Sequence, residues 1–325
     1  MKLDIHIPDW ATHIVSDLTD MDRNPHEVDK EKVSSFSLDL SDNVYLEYAF
    51  LDANGEMKAD PENEVRGKSI WYPEVSAVYG PEYEAEPYAD VAEEEVGVGE
   101  TKRERLESDL LEQTRRLSLY TPKGYEDEPL PAVYIQDGTA FYRFAKIHLT
   151  LEKLISDDLI RPAHLVFIEP KDRAEEYGYN ETYRRFVFEE VVPLVEERLE
   201  TTGERVAMGA SLGGLASTLL AWDKPDVFGT VVAFSGAYLG TPESKEFYWD
   251  KDSWFLDTLK NEEVKPLRFY NDVGTLEWLT DVNQEVAEVL NEKGYEHVFE
   301  TRNAGHNWVN WKNGFRRALE FALKP

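Results

Sequence analysis

A serine, a histidine and a carboxylate in this chain have the surroundings that acyl-transfer chemistry needs. Ser211 stands in Gly209-Ala-Ser-Leu-Gly213, a G-x-S-x-G spacing. The letters alone say little, because Gly and Ser are common, but the flanks are informative. Arg205-Val-Ala-Met predicts a short buried strand, and Leu212 to Trp222, rich in Leu and Ala, predicts a buried helix. A serine on the sharp turn between them sits in a strained conformation. Small residues two before and two after it let the backbone pack on itself. Such a turn lifts the hydroxyl above the sheet and aims a helix N-terminus at any oxyanion formed there. His306 lies in Asn303-Ala-Gly-His-Asn-Trp, a Gly-flanked loop between the last predicted strand and the last helix. A neutral imidazole can take the serine's proton and return it to a leaving alcohol.

The acid is less sharply marked. Asp272, Glu277 and Asp281 all follow the strand Leu267-Arg-Phe-Tyr. Asp281 precedes the stripe Val282, Val286, Val289, Leu290, with Gln284 three residues on, and reads as a helix N-cap. Glu277, in Gly274-Thr-Leu-Glu-Trp, lies in a turn that can return a longer side chain across the strand ends. It is the first choice, and Asp272 at the strand's end is the alternative. For the oxyanion, one backbone N–H is expected from Leu212. The other is expected from the turn Asp137-Gly138-Thr139, where Gly138 permits an inward-pointing N–H.

These groups need a scaffold. Residues 1–80 predict a β domain, with strands at 34–40 and 44–51 and a hairpin turn at Asn54-Gly55. Residues 81–98, rich in Pro, Glu, Gly and Tyr, predict an acidic linker. Trp71, Tyr72 and the tyrosines Tyr83 and Tyr88 fit packing between domains better than ligand contact. From 99 to 325 strands and helices alternate. Strands are expected at 113–121, 132–136, 164–168, 205–208, 230–234, 267–270 and 297–301. Helices are expected at 141–158, 182–199, 212–222, 244–259, 282–293 and from 308. Repeated β–α units of this length demand a mostly parallel sheet flanked by helices, with reactive groups at the strands' carboxyl ends. The order serine, acid, histidine is that of α/β-hydrolases.

Composition narrows the partners. A net charge of −30 argues against nucleic acid and anionic membranes, which both need positive potential. No apolar run is long enough to span a bilayer, and the N-terminus, with charges and a proline, does not look like a signal peptide; the expectation is a cytoplasmic location. With no cysteine there is no thiolate ligand and no disulfide. His6, His13 and His26 are scattered without metal spacing, and no metal site is expected.

At this level the chain resembles the esterase D and enterochelin-esterase (Fes-like) branch of the α/β-hydrolases. The resemblance rests on Tyr120-Thr-Pro-Lys-Gly-Tyr125, Ile135-Gln-Asp-Gly138, Gly209-Ala-Ser-Leu-Gly-Gly214, Ser235-Gly236, Val273-Gly-Thr-Leu-Glu277 and Gly305-His-Asn-Trp-Val-Asn-Trp311. It covers about residues 99–325. More loosely, the N-terminal region resembles that family's immunoglobulin-like β-sandwich. The resemblance implies a cofactor-independent serine esterase acting on a small-molecule ester, with Glu277 as the acid and with Thr139, Arg173 and Trp308 touching substrate. Arg184 and Arg185, with Arg173, are the cations available to an anionic substrate. Asn307 stands where the family often has Asp, and Arg173-Ala-Glu-Glu-Tyr177 departs from its Arg-x-x-Glu-Leu, which weakens the implication of a siderophore. A feruloyl- or acetyl-type carbohydrate esterase or an acyltransferase would use the same residues. The contrasting class is a non-catalytic glycan-binding protein.

Overall fold

The computed structural model describes residues 1–29, 34–244 and 252–325, which fall into two compact units. The first comprises Met1–Ala85 with Val273–Thr280 and Thr301–Trp311. Its strands are β1 (Lys2–His6), β2 (His13–Ser16), β3 (His26–Glu27), β4 (Ser35–Asp39), β5 (Tyr45–Leu51), β6 (Met57–Lys58) and β7 (Ser76–Tyr79). β1 pairs antiparallel with β4, and a second sheet runs β3-β2-β5-β6 with β7 also on β5. The turn from β5 to β6 is the expected one. Gly55 takes φ 78°, and the Asp52 carboxylate accepts N–H bonds from Asn54 (2.8 Å) and Glu56 (3.0 Å). Alternation along β2 and β5 feeds two apolar clusters: Ile14, Tyr48 and Phe50 join one, Val15 and Ala49 the other. Both faces of β5 are therefore covered, which is why it is buried from Tyr45 to Phe50. Among the described residues, the region expected as an immunoglobulin-like sandwich consists of a two-stranded and a five-stranded sheet. The division from the next unit falls after Ala85, inside the stretch expected as a linker.

The second unit comprises Glu86–Asp272, Asp281–Glu300 and Lys312–Pro325. Its sheet is built from β8 (Glu100–Ser108), β9 (Gln113–Thr121), β10 (Leu130–Ile135), β11 (His164–Ile168), β12 (Thr201–Ala210), β13 (Thr230–Phe234), β14 (Arg268–Gly274) and β15 (Glu296–Arg302), in the order β15-β14-β13-β12-β10-β11-β9-β8. Pairings from β11 through β10, β12 and β13 to β14 are parallel; β9 runs antiparallel to both β11 and β8. The helices are α1 (Ile147–Ser156), α2 (Arg173–Tyr177), α3 (Glu181–Phe186), α4 (Val192–Arg198), α5 (Leu212–Asp223), α6 (Trp254–Asn261), α7 (Thr280–Glu292) and α8 (Trp308–Ala322). Helix α5 is buried from Leu212 to Trp222 and packs on β12 and β13.

The structure departs from the sequence reading in identifiable ways. The helix expected over 141–158 is broken: a π-helical turn (Ala140–Phe144) precedes Lys146, which sits at φ 54°, and only then does α1 start. The helix expected over 182–199 is α3, a π-helical turn (Val187–Val191) and α4, with Pro193 in the first turn of α4, where its missing N–H is tolerated. Of the helix expected near 244–259, residues 245–251 lie outside the described ones and α6 begins at Trp254. Strand β14 runs four residues past its expected end, so Asp272 lies inside a strand. Asp281 is inside the first turn of α7, not its cap. Strand β8 and helix α2 were not anticipated.

Because α5 has no exposed face, truncating it should be costly. Leu215→Ala is expected to lose about 2–5 kcal/mol of stability, read from urea unfolding. A loss below about 1 kcal/mol would mean that the helix is less tightly enclosed than its burial indicates.

Candidate active site

In the second unit, Ser211 joins β12 to α5 at φ 57°, ψ −124°. A residue with a Cβ rarely adopts this conformation, which persists only where surrounding structure enforces it. The enforcement is visible. Ser211 N–H donates to Phe234 O (2.8 Å), and its carbonyl accepts from Leu215 (3.1 Å) and Ala237 (3.0 Å). A Cβ at Gly209 would overlap the Gly213 carbonyl, and one at Gly213 would come within 2.9 Å of Asp137 Oδ2. Both glycines of the motif are sterically required. Leu212 is the first residue of α5, so its N–H has no acceptor within the helix.

The turn after β10 is held rigidly. Asp137, at φ 57°, donates its N–H to Tyr177 Oη (2.9 Å), and Tyr183 donates its hydroxyl to the Gln136 side chain. Burial pushes the Tyr177 and Tyr183 hydroxyls far up, so both stay protonated, Tyr177 accepting from Asp137 and Tyr183 donating to Gln136. Arg173 grips the Asp137 carboxylate with Nε (2.8 Å) and Nη2 (3.0 Å), and Nη2 also donates to Ala210 O (3.1 Å), just before the serine. It thereby ties the Gly138 turn to the Ser211 turn. Gly138 lies against β11, where a Cβ would sit 2.7 Å from the Phe167 carbonyl carbon. Thr139 N–H donates to Glu169 Oε2 (2.7 Å). The other two arginines considered for an anionic substrate are committed to surface pairs, Arg184 with Asp223 and Arg185 with Glu189.

In the first unit, His306 Nδ1 is hydrogen-bonded to Glu277 Oε2, while Glu277 Oε1 accepts from Gly274 N–H (2.7 Å). Glu277 is buried, and Thr280 closes its turn by donating to Gly274 O (2.7 Å). The imidazole lies between two indoles, 4.4 Å from Trp278 and 5.0 Å from Trp311, centroid to centroid. Trp308 is buried; it stacks on half-exposed Trp71 (5.9 Å) and meets Trp311 edge-on (4.9 Å). Arg23, 4.8 Å from the Trp278 centroid, pairs with Asp20. Beneath the histidine's loop lies Asp17, fully enclosed. It accepts from Glu47 N–H (2.7 Å) and from Asn307 Nδ2 (3.2 Å), and it occupies the space a Cβ on Gly305 would need. Burial, reinforced by Glu47, raises the Asp17 carboxyl well above its usual range. Burial also lifts Asp20 to about 6, against the opposing pull of Arg23.

The structure thus groups Ser211, Leu212, Gly138, Thr139 and Arg173 within the second unit, and Glu277, His306 and Trp308 within the first. Asp272 is buried inside β14, its backbone carbonyl accepting from Ser235 N–H (2.7 Å) and its Oδ2 facing the Tyr270 hydroxyl (3.4 Å). Sequence reasoning missed Asp17, Asp20, Arg23, Trp278 and Trp311. Nothing in the spacing of residues 17–23 pointed to a loop almost 290 residues away, although the tryptophans beside the two key residues were a usable signal.

The Esterase family model matches residues 108–322. The chain belongs to the Esterase family. By that membership it is a carboxylic ester hydrolase. It is 26% identical over 250 residues to the protein YjcH of Bacillus subtilis, covering 69% of this chain and 98% of the relative. The esterase also matches the enterobactin esterase FES of Shigella flexneri, solved in the presence of enterobactin, with TM-score 0.75 and 21% identity over 98% of this chain and 91% of that one. The ferulic acid esterase AmCE1/Fae1A of Anaeromyces mucronatus matches with TM-score 0.60 and 20% identity over 72% and 94%. These likenesses give the esterase an α/β-hydrolase-like fold with a mixed sheet flanked by helices. Among the described residues no helix is long and apolar enough to cross a membrane.

The Asp20 shift carries a pH signature. A carboxyl raised in the folded state holds its proton where the unfolded chain has lost it, so its contribution to stability falls as pH rises from about 4 to about 6. Asp20→Asn, suited to the left-handed backbone at φ 52°, should remove that fall. In urea unfolding at pH 4, 5, 6 and 7, the variant should gain on the wild type across this window. A constant difference over all four values would contradict the assignment.

Proposed function

We propose that this esterase works through a covalent acyl-enzyme formed on Ser211, with His306 as general base and acid and Glu277 as the acid of the triad. The observation that carries the reading is the Glu277–His306 hydrogen bond. It engages Nδ1 and leaves Nε2 to exchange protons, and Glu277's second oxygen is fixed by a backbone N–H, so the carboxylate is anchored rather than swinging. All three residues follow the carboxyl ends of strands, in the chain order of α/β-hydrolases.

In this mechanism Ser211 Oγ bonds to the ester carbonyl carbon as its proton passes to His306 Nε2. The oxyanion is met by the N–H groups of Leu212 and Gly138; removing one such donor typically costs about 2.7–4 kcal/mol. Collapse breaks the bond to the alkoxy oxygen, which leaves with the proton from Nε2. Water then gives a proton to Nε2, attacks the acyl carbon and releases the carboxylic acid, restoring Ser211. Glu277 stays ionised, holding the imidazole's orientation and stabilising the imidazolium. Neither metal nor organic cofactor enters any step. Arg173 acts through Asp137 and Ala210 on the placement of both turns, and Thr139, next to Gly138, is assigned to contact with the ester.

For the substrate we favour a small-molecule ester of the kind cleaved by enterobactin esterases. The support is that the likeness to that fold runs over 98% of the chain, whereas that to a ferulic acid esterase covers 72%. Feruloyl or acetyl esters, and transfer to an alcohol instead of water, would use the same residues.

Ser211→Ala should lose at least a hundredfold in kcat on p-nitrophenyl butyrate and all labelling by a fluorophosphonate probe; labelling that persists would place the nucleophile elsewhere. A second pair of variants separates the acids. Glu277→Gln should lower kcat by orders of magnitude while retaining cooperative unfolding, and Asp272→Asn should lower it far less. The opposite ranking would move the acid to Asp272.

A further inference from the structure

Strand β8 and its neighbour β9 carry an arrangement that a chain of net charge −30 would not be expected to keep without use. Arg103 and Arg105, two residues apart, share one face of β8. Arg116 on β9 stands directly opposite Arg105, and Ser118 opposite Arg103. Like charges directly across a strand pair destabilise it. Phe167 of β11 is the next partner of Ser118 on the same face. Arg143, in the π-helical turn that follows the Gly138 loop, lines the same space, and such turns recur at functional sites.

These four arginines line one cavity of about 480 Å³, to which Leu117, Tyr142 and Phe167 give apolar surface and which Gly138 and Thr139 also line. Tyr142 is fixed by its contact with Phe167 (5.1 Å between centroids) and by a hydrogen bond to Thr101 (2.9 Å). Two carboxylates also line the space, and both have partners: Glu104 pairs with Arg198 (3.4 Å), and Glu169 accepts from Thr139 N–H. Among the described residues, none of Arg103, Arg105, Arg116 and Arg143 forms an ion pair, while Arg115, Arg161, Arg173, Arg184, Arg185, Arg198 and Arg205 of the same unit all do. A guanidinium fork without a carboxylate, repeated four times around one cavity, is a binding surface for an oxyanion.

We infer that this cavity receives an anionic group, a carboxylate, phosphate or sulfonate, carried by the ester that the enzyme cleaves. The inference rests on the serine-esterase reading in one respect: it makes the anion part of the substrate because Gly138 and Thr139, of the turn assigned to the oxyanion, are among the residues that line the cavity. Arg103, Arg105, Arg116 and Arg143 are then specificity residues, and the apolar wall takes the part of the substrate that joins the anion to the ester.

The test uses the full chain and two readouts. The first is the ratio of kcat/KM for the p-nitrophenyl monoester of glutarate to that for p-nitrophenyl butyrate. This ratio should fall at least tenfold in Arg105→Gln/Arg116→Gln and stay at the wild-type value in Arg185→Gln, which removes a paired charge outside the cavity. The second is the rise in Tm on adding inorganic tripolyphosphate, which should be present in the wild type and in Arg185→Gln but largely lost in the double variant. A ratio and a Tm rise that are both unaltered in the double variant overturn the inference. A Tm rise that depends on the arginines while the ratio does not overturns the claim that the anion belongs to the substrate. If no ester is hydrolysed at all but the arginine-dependent Tm rise remains, the serine-esterase reading fails and the anion site stands.

Discussion

Much of the second unit depends on keeping one residue in a conformation it does not favour. Ser211 at φ 57°, ψ −124° stores strain of the order of 1–3 kcal/mol. That strain is offset by what lies on either side: a strand paired on both edges and a helix with no exposed face. Three backbone hydrogen bonds converge on the residue, two of them from segments outside its own turn and helix, Phe234 and Ala237. The glycines are the other half of the arrangement. Gly209 is needed because a Cβ there would meet the Gly213 carbonyl, Gly213 because one there would press on Asp137 Oδ2, and at Gly214 a Cβ would sit tight, 3.2 Å from Gly236 Cα. The motif's spacing is therefore a packing requirement first, and its chemistry follows from the position that packing forces on the hydroxyl.

Fixing the turn after β10 is an electrostatic problem solved with charged partners. Arg115 is almost wholly enclosed. It bonds both Glu176 oxygens (2.7 and 2.8 Å) and the Glu169 carbonyl (2.6 Å). Glu169 in turn receives Thr139 N–H, and Asp137, two residues before, is gripped by Arg173. A path of charge-assisted bonds thus runs from the interior of β9 to the loop carrying Gly138. Removing one member of a buried pair leaves the other uncompensated, at a cost of about 3–5 kcal/mol. The same physics shapes the first unit in the opposite sense. Asp17 and Glu47 are two enclosed carboxyls that form no ion pair among the described residues, and burial drives both upward. Their role is to accept backbone and amide N–H bonds from β5, Asn307 and the 68 position, which fastens the histidine's loop to β5.

What could be read from the chain was whatever is decided within about fifteen residues. The β12–Ser211–α5 turn, the Asn54-Gly55 hairpin and most strands of the sheet announce themselves by local period and glycine placement. What escaped was decided by contacts distant in sequence or by residues with two readings. Strand β8, Glu-Thr-Lys-Arg-Glu-Arg-Leu-Glu-Ser, is an edge strand whose charges suppress any apolar alternation, as edges often require. The end of β14 was placed too early because Asn271 and Asp272 look like loop residues; inside a sheet their backbones pair normally. The break at Lys146 follows a π-helical turn, and no residue there is a conventional helix breaker. Likewise the first unit could not be delimited from sequence, since Val273–Thr280 and Thr301–Trp311 join residues 1–85 only through tertiary pairing such as Tyr45 N–H to Asn303 O (2.8 Å).

The net charge of the chain says little about the field at any one site. At physiological ionic strength a charge is felt over roughly 8 Å, so a total of −30 describes the field far from the protein and not the field inside a cavity. Lys and Arg counted along the chain cannot distinguish a guanidinium spent on a neighbouring carboxylate from one left facing a cleft. That distinction needs the register. Arg105 opposite Arg116 appears only once β8 is paired with β9, and Arg143 joins them only through the π-helical turn after Gly138. The arginines that looked suited to an anion from sequence, Arg173, Arg184 and Arg185, are the ones whose charge is already answered. Selectivity in an acidic protein is then set by the small number of cations its fold leaves unanswered, and here the cavity that holds four of them reaches the turn expected to supply the oxyanion's second N–H.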